Sequence, residues 1–77
     1  MCDGLVPVPK HRRILGESIR AYRRRAGLSQ EKLAERADLS TVFISNVECG
    51  KDTISVDSLA RIAKALGVSL RDLFQAI

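Results

Sequence analysis

The sequence predicts an all-α domain of five short helices, and three observations carry that prediction. Apolar residues recur at spacings of three, four and seven through most of the chain, the period of an amphipathic helix. Serine and glycine punctuate these runs: Ser29, Ser40, Ser55 and Ser69 precede helix-like stretches, and Gly27, Gly50 and Gly67 follow them. A serine hydroxyl accepts from an orphan N–H at a helix start, and glycine readily takes the left-handed conformation at a helix end. No segment alternates with period two over a useful length, so no strand is expected.

Residues 1–12 carry Gly4, Pro7 and Pro9 and show no periodicity, and they read as a flexible basic arm. Helix 1 is expected from about Arg13 to Ala26, with Leu15, Ile19, Tyr22 and Ala26 on one stripe. Helix 2 follows from Gln30 to Ala37, with Leu33, Ala34 and Ala37 inward. Only Asp38, Leu39 and Ser40 separate it from the next helix, so the two must cross steeply, with Asp38 near the left-handed region. Helix 3 spans Thr41 to Cys49, with Ile44, Val47 and Glu48 inward. Helix 4 spans Val56 to Leu66, with Leu59, Ile62, Ala63 and Leu66 inward. Helix 5 runs from Leu70 to about Ala76, opened by a capping box of Ser69 and Asp72. Residues 13–77 thus make one domain.

At 77 residues there is no room for a second domain. Hydrophobic residues make up 45%, a globular value, and aromatics only 4%, which points to an aliphatic core. No apolar run approaches the roughly 20 residues of a membrane span. The start MCDGLVPVPKHRR places its basic cluster after the apolar stretch, the reverse of a secretory signal, so a cytoplasmic location is expected. Cys2, Cys49 and His11 are too few and too scattered for a structural zinc site; the two cysteines leave a disulfide open, but one lies in the arm, and free thiols are the expectation for both. No metal, cofactor or small-molecule ligand is expected. Catalysis is not expected either, because a Ser or Cys nucleophile needs a positioned base and the single histidine lies in the arm.

The net charge is +4, and its distribution is uneven. Residues 1–25 hold seven Lys/Arg against two acidic residues, whereas residues 26–77 hold six against seven. Such asymmetry suggests an anionic partner, nucleic acid before a membrane surface, and equally fits a solubilising charge run. Helix 3 is more specific. On a helical wheel Thr41, Val42, Ser45, Asn46 and Cys49 fall opposite the inward residues. This face is short, small and uncharged, where a solvated face would usually carry Lys and Glu. Hydroxyls and amides suit base edges in a major groove, and a Val or Thr methyl suits the thymine methyl. The plainer reading is a surface helix of poor propensity, since Thr, Val, Ser and Asn are weak helix formers.

The stretch from Leu15 to Phe74 resembles the Cro/phage-repressor helix-turn-helix family, also called the xenobiotic-response-element family. The resemblance rests on Gly27-Leu28-Ser29-Gln30, Leu33-Ala34, Leu39-Ser40, Ile44-Ser45, Val47-Glu48 with Gly50-Lys51, and Leu59 through Val68. It implies a lambda-repressor-like fold and sequence-specific binding of double-stranded DNA. It also implies that Gln30 bonds a phosphate and braces the recognition helix, and that Ser40 and Lys51 lie near phosphate. Thr41, Val42, Ser45 and Asn46 match the positions that read bases, and Arg23 and Glu48 match a buried salt bridge. Asp38 stands where the family usually has glycine, and Val42 where a polar residue is common. Phe43, at the border of the wheel, either meets the DNA, packing against a sugar of the backbone or a thymine methyl, or covers the cleft between helices 2 and 3. Arg12 and Arg13 are placed to follow the phosphate backbone.

One helix reads only a few base pairs, and the family solves this with a two-fold dimer on a pseudo-palindrome. A homodimer is therefore expected, through Leu70, Leu73, Phe74 and Ile77; alternatively Leu73 and Phe74 simply close the core. Small chains of this kind resemble restriction–modification controller proteins, phage repressors and some antitoxins. A protein partner, as for an antitoxin or adaptor, is the alternative function.

Overall fold

Every segment of regular structure in the described residues, 10–51 and 54–74 of this computed structural model, is helical. The order is α1 (Lys10–Arg25), α2 (Gln30–Ala37), α3 (Thr41–Glu48), α4 (Val56–Leu66) and α5 (Leu70–Phe74). The four serines do what their spacing predicts. Ser29, Ser40 and Ser55 sit at N-caps and accept from the N–H groups of Lys32, Phe43 and Ser58 at 3.0–3.1 Å. Ser69 and Asp72 form a reciprocal capping box: Asp72 N–H donates to Ser69 Oγ, and Ser69 N–H to Asp72 Oδ2.

The first four helices end alike. A residue at positive φ follows each, namely Gly27, Asp38, Gly50 and Gly67. The next residue's N–H then bonds back to a carbonyl five positions earlier: Leu28 to Arg23, Leu39 to Ala34, Lys51 to Asn46 and Val68 to Ala63. Asp38 takes φ 58° and ψ 46°, so an aspartate fills the left-handed position of the tight turn. An apolar residue normally closes such a motif against its own helix. Leu39 and Val68 do so and pack against the core. After α3 the equivalent residue is the exposed Lys51.

The core joins Leu15 and Ile19 of α1, Leu33, Ala34 and Ala37 of α2, Ile44 and Val47 of α3, Leu59, Ile62 and Ala63 of α4, and Leu73 of α5. α2 packs on α3 and α4, and α1 packs on α3 and α5. α1 meets α3 closely at Gly16, where a β-carbon would lie 2.5 Å from the carbonyl oxygens of Val47 and Glu48.

Several expectations need correction. α1 starts at Lys10, so Lys10 to Arg12 belong to the helix rather than the arm. Its first turn holds no acidic residue and three basic ones, opposing the helix dipole, so no conventional start signal was present. Ala26, expected on the apolar stripe, is exposed, whereas Tyr22 packs against the core as expected, with the Arg25 guanidinium 5.2 Å from its ring centroid. Leu73 is completely buried in the core and has no surface to offer a second protomer. Ile77, assigned to the same interface, lies outside the described residues. Cys49 is disulfide-bonded, not a free thiol. It caps α3 at a half-exposed position open to a second sulfur, which compartment arguments do not register. Cys2 lies outside the described residues.

Gly16→Ala tests the close approach. Alanine is the better helix former by about 1 kcal/mol, but the added methyl meets backbone oxygens that cannot turn away, and overpacking costs typically 1–3 kcal/mol or more. Urea unfolding is expected to show a net loss of about 1–2 kcal/mol; a gain in stability would contradict the spacing.

Candidate nucleic-acid interface

The candidate interface is backed by one buried carboxylate. Glu48, in the last turn of α3, is 1% exposed, and burying such a charge is tolerable only if it is paired and hydrogen-bonded. Arg23 of α1 grips it with both arms of its guanidinium. Nε donates to Oε2 at 2.6 Å and Nη2 to Oε1 at 3.1 Å, while Nη1 donates to the Leu28 carbonyl at 2.9 Å. Gln30, the first residue of α2, donates from Nε2 to Oε1 at 3.1 Å, and Arg20 Nε stands 3.5 Å from the same oxygen. Three helices therefore converge on one side chain. No buried side-chain N or O among the described residues is left without a partner.

The Arg23–Glu48 bridge has the place the family resemblance implies. Gln30 also braces the recognition helix, as the resemblance implies, here by way of Glu48, whereas the contribution of Arg20 was not foreseen. No motif singles out Arg20, although its i, i+3 relation to Arg23 puts both on one face of α1. Gln30 was assigned to a phosphate as well as to the brace. Its amide is oriented by Glu48, with one N–H engaged and the second available to an acceptor. Two guanidiniums beside one carboxylate leave positive charge in excess near the start of α2, where the helix dipole adds to it.

The outward residues of α3 divide by depth. Thr41 and Val42 are exposed, Val42 at 69%, while Ser45 and Asn46 are half-buried on the same helix. Ser40 is exposed; its oxygen accepts from Phe43 N–H, and its hydroxyl proton remains free to be donated. Phe43 is half-buried and packs against the core, which favours the cleft-covering role over the backbone contact assigned to it. Its ring has no group to bond a phosphate, and its N–H serves the cap.

The basic residues assigned to phosphate are brought together by Gly50. This glycine is buried, and its β-carbon position lies 3.2 Å from the backbone N and Cα of Arg13. The loop after α3 thus rests on the first turn of α1, placing Lys51 in the segment beside Arg12 and Arg13. The cation-rich start of α1 and the polar ending of α3, each anomalous by itself, meet at one place.

Comparison with known proteins agrees with this architecture. The chain matches the helix-turn-helix family over residues 19–73. It belongs to that family, in the xenobiotic-response-element branch of DNA-binding transcriptional regulators that its sequence resembles. It is 41% identical over 63 residues to control protein C.BamHI of Bacillus amyloliquefaciens, covering 80% of this chain and 78% of that one. Among solved structures it is similar to the restriction-modification controller protein C.AhdI from Aeromonas hydrophila, with TM-score 0.80 and 34% identity over 80% of this chain and 94% of that one. It is also similar to the clp gene regulator ClgR from Corynebacterium glutamicum, with TM-score 0.85 and 32% identity over 92% and 91%.

The carboxylate cluster makes a stability prediction. Removing one partner of a buried ion pair costs about 3–5 kcal/mol, because the other charge stays behind uncompensated. Glu48→Ala should lose that much in urea unfolding, a large share of the stability of a domain this small. Arg23→Met combined with Glu48→Leu should recover most of it. A mild loss in the single variant would contradict the cluster's role.

Proposed function

We propose that the chain regulates transcription as a homodimer that grips a pseudo-palindromic DNA operator, with α3 of each protomer in a major groove. The observation that carries this reading is the exposed, uncharged face of Thr41, Val42, Ser45 and Asn46 on a helix anchored from behind by a buried ion cluster. Such a face reads base edges, and such an anchor keeps it in one pose. In this reading Ser40 at the start of α3, Gln30 bonded to Glu48 at its end, and the Lys51 loop resting on the backbone of Arg12 and Arg13 add donors and positive charge, the chemistry that holds phosphates and fixes register.

Of the dimer residues expected, Leu70 is half-buried and Phe74 is 47% exposed. In this reading Phe74 is the described residue with apolar surface to offer a second protomer. Two relatives named as control or controller proteins favour a restriction–modification setting over phage immunity. A cytoplasmic regulator of this kind needs neither cofactor nor catalytic step. Among the described residues no helix is long and apolar enough to cross a membrane.

Selection from a random duplex pool at about 0.15 M salt tests the reading. A pseudo-palindrome with half-sites about one helical turn (~34 Å) apart is expected. Weak, sequence-blind binding that salt abolishes would contradict it, and would turn attention to a protein partner of the antitoxin or adaptor kind.

A further inference from the structure

Among the described residues only three large apolar side chains are exposed: Val42, Val56 and Phe74. Val56 opens α4 and Phe74 ends α5, while Val42 alone stands on the face assigned to DNA. It is the second residue of α3 and 69% exposed, so its two methyls project from the leading end of that helix. Its side chain is stiff about χ1, so little freedom is lost when the methyls meet a surface. With no donor or acceptor, it cannot read the hydrogen-bonding pattern of a base pair. The apolar feature that a major groove presents is the methyl group at pyrimidine C5. α3 also lacks the usual reader of guanine, since Thr41–Glu48 contains no Arg or Lys and Glu48 is turned inward.

We propose that Val42 is a specificity-determining residue that reads a C5-methyl pyrimidine in each operator half-site. This rests on the DNA-regulator reading above. Two bases supply the same chemistry, thymine and 5-methylcytosine, and the methyl is what Val42 recognises in either. Thr41, Ser45 and Asn46 are left to read hydrogen-bonding edges, so those edges and the pyrimidine methyl are sensed by different side chains of one helix.

The test uses the duplex obtained by selection and measures Kd by fluorescence anisotropy. Each thymine is replaced in turn by deoxyuridine, which removes the methyl and leaves every hydrogen bond in place. At the responsive position, 5-methylcytosine and cytosine are then compared opposite guanine. Burial of one methyl corresponds to about a fourfold change in Kd. The wild-type protein should lose about that factor at one thymine per half-site, and should prefer 5-methylcytosine to cytosine by a similar ratio. Val42→Ala, at an exposed position where alanine is the better helix former, should fold normally and bind thymine and deoxyuridine equally. A thymine preference without a 5-methylcytosine preference would support the proposal and fix thymine as the source. Wild-type binding that is tight yet unchanged by every deoxyuridine, or a thymine preference that survives Val42→Ala, would overturn the proposal and leave the DNA-binding reading standing. Failure to select any duplex would overturn both.

Discussion

Glu48 is the constraint on which the rest of the molecule depends. A carboxylate that is 1% exposed has to find partners, and those it finds come from each of the other two helices that frame the interface. Arg23 ties it to α1, Gln30 to the start of α2, and its own backbone belongs to α3. Behind it the carbonyls of Val47 and Glu48 lie against Gly16, so α1 and α3 approach to backbone contact. An apolar residue at this position would pack, but it would set no angle. A bidentate guanidinium and an oriented amide set direction as well as distance.

The arrangement makes α3 a poor helix in a well-defined place. Thr, Val, Ser and Asn weaken it locally, and at eight residues it is too short to persist in isolation. Its stability comes from Ile44, Val47 and Glu48 on the inward side and from the Ser40 cap at its start. The outward residues are then free to be chosen for what they touch. Gly50 extends the same logic to the loop. It permits the turn after α3 to settle on the first turn of α1, gathering Arg12, Arg13 and Lys51 into one region. The dipole penalty at the basic start of α1 is tolerable if an anion is bound there.

Much of this was legible in the sequence, and what was not has physical reasons. Capping is local, so four serines and a repeated glycine placed α2 and α4 at the boundaries found in the structure. The left-handed turn at Asp38 followed from the three-residue connection. The start of α1 was misplaced because Lys10 to Arg13 carry neither cap nor acidic first turn. The Arg23–Glu48 bridge and the brace by Gln30 were available only through family resemblance; the wheel placed Glu48 inward without naming a partner. Arg20 joins them through the mutual placement of helices, which no linear spacing encodes. Leu73 was misassigned because a five-residue helix has too few turns to distinguish a buried stripe from a neighbouring exposed one.

If the Glu48 cluster fixes the pose of α3 in the free protein, native-state amide hydrogen exchange on wild type and Glu48→Gln should show it. In the wild type the hydrogen-bonded amides of α3 should open only with the core amides of α1 and α4, and in the variant they should open separately and more readily. Wild-type α3 amides that already exchange through cheap local openings, unaffected by Glu48→Gln, would contradict that role.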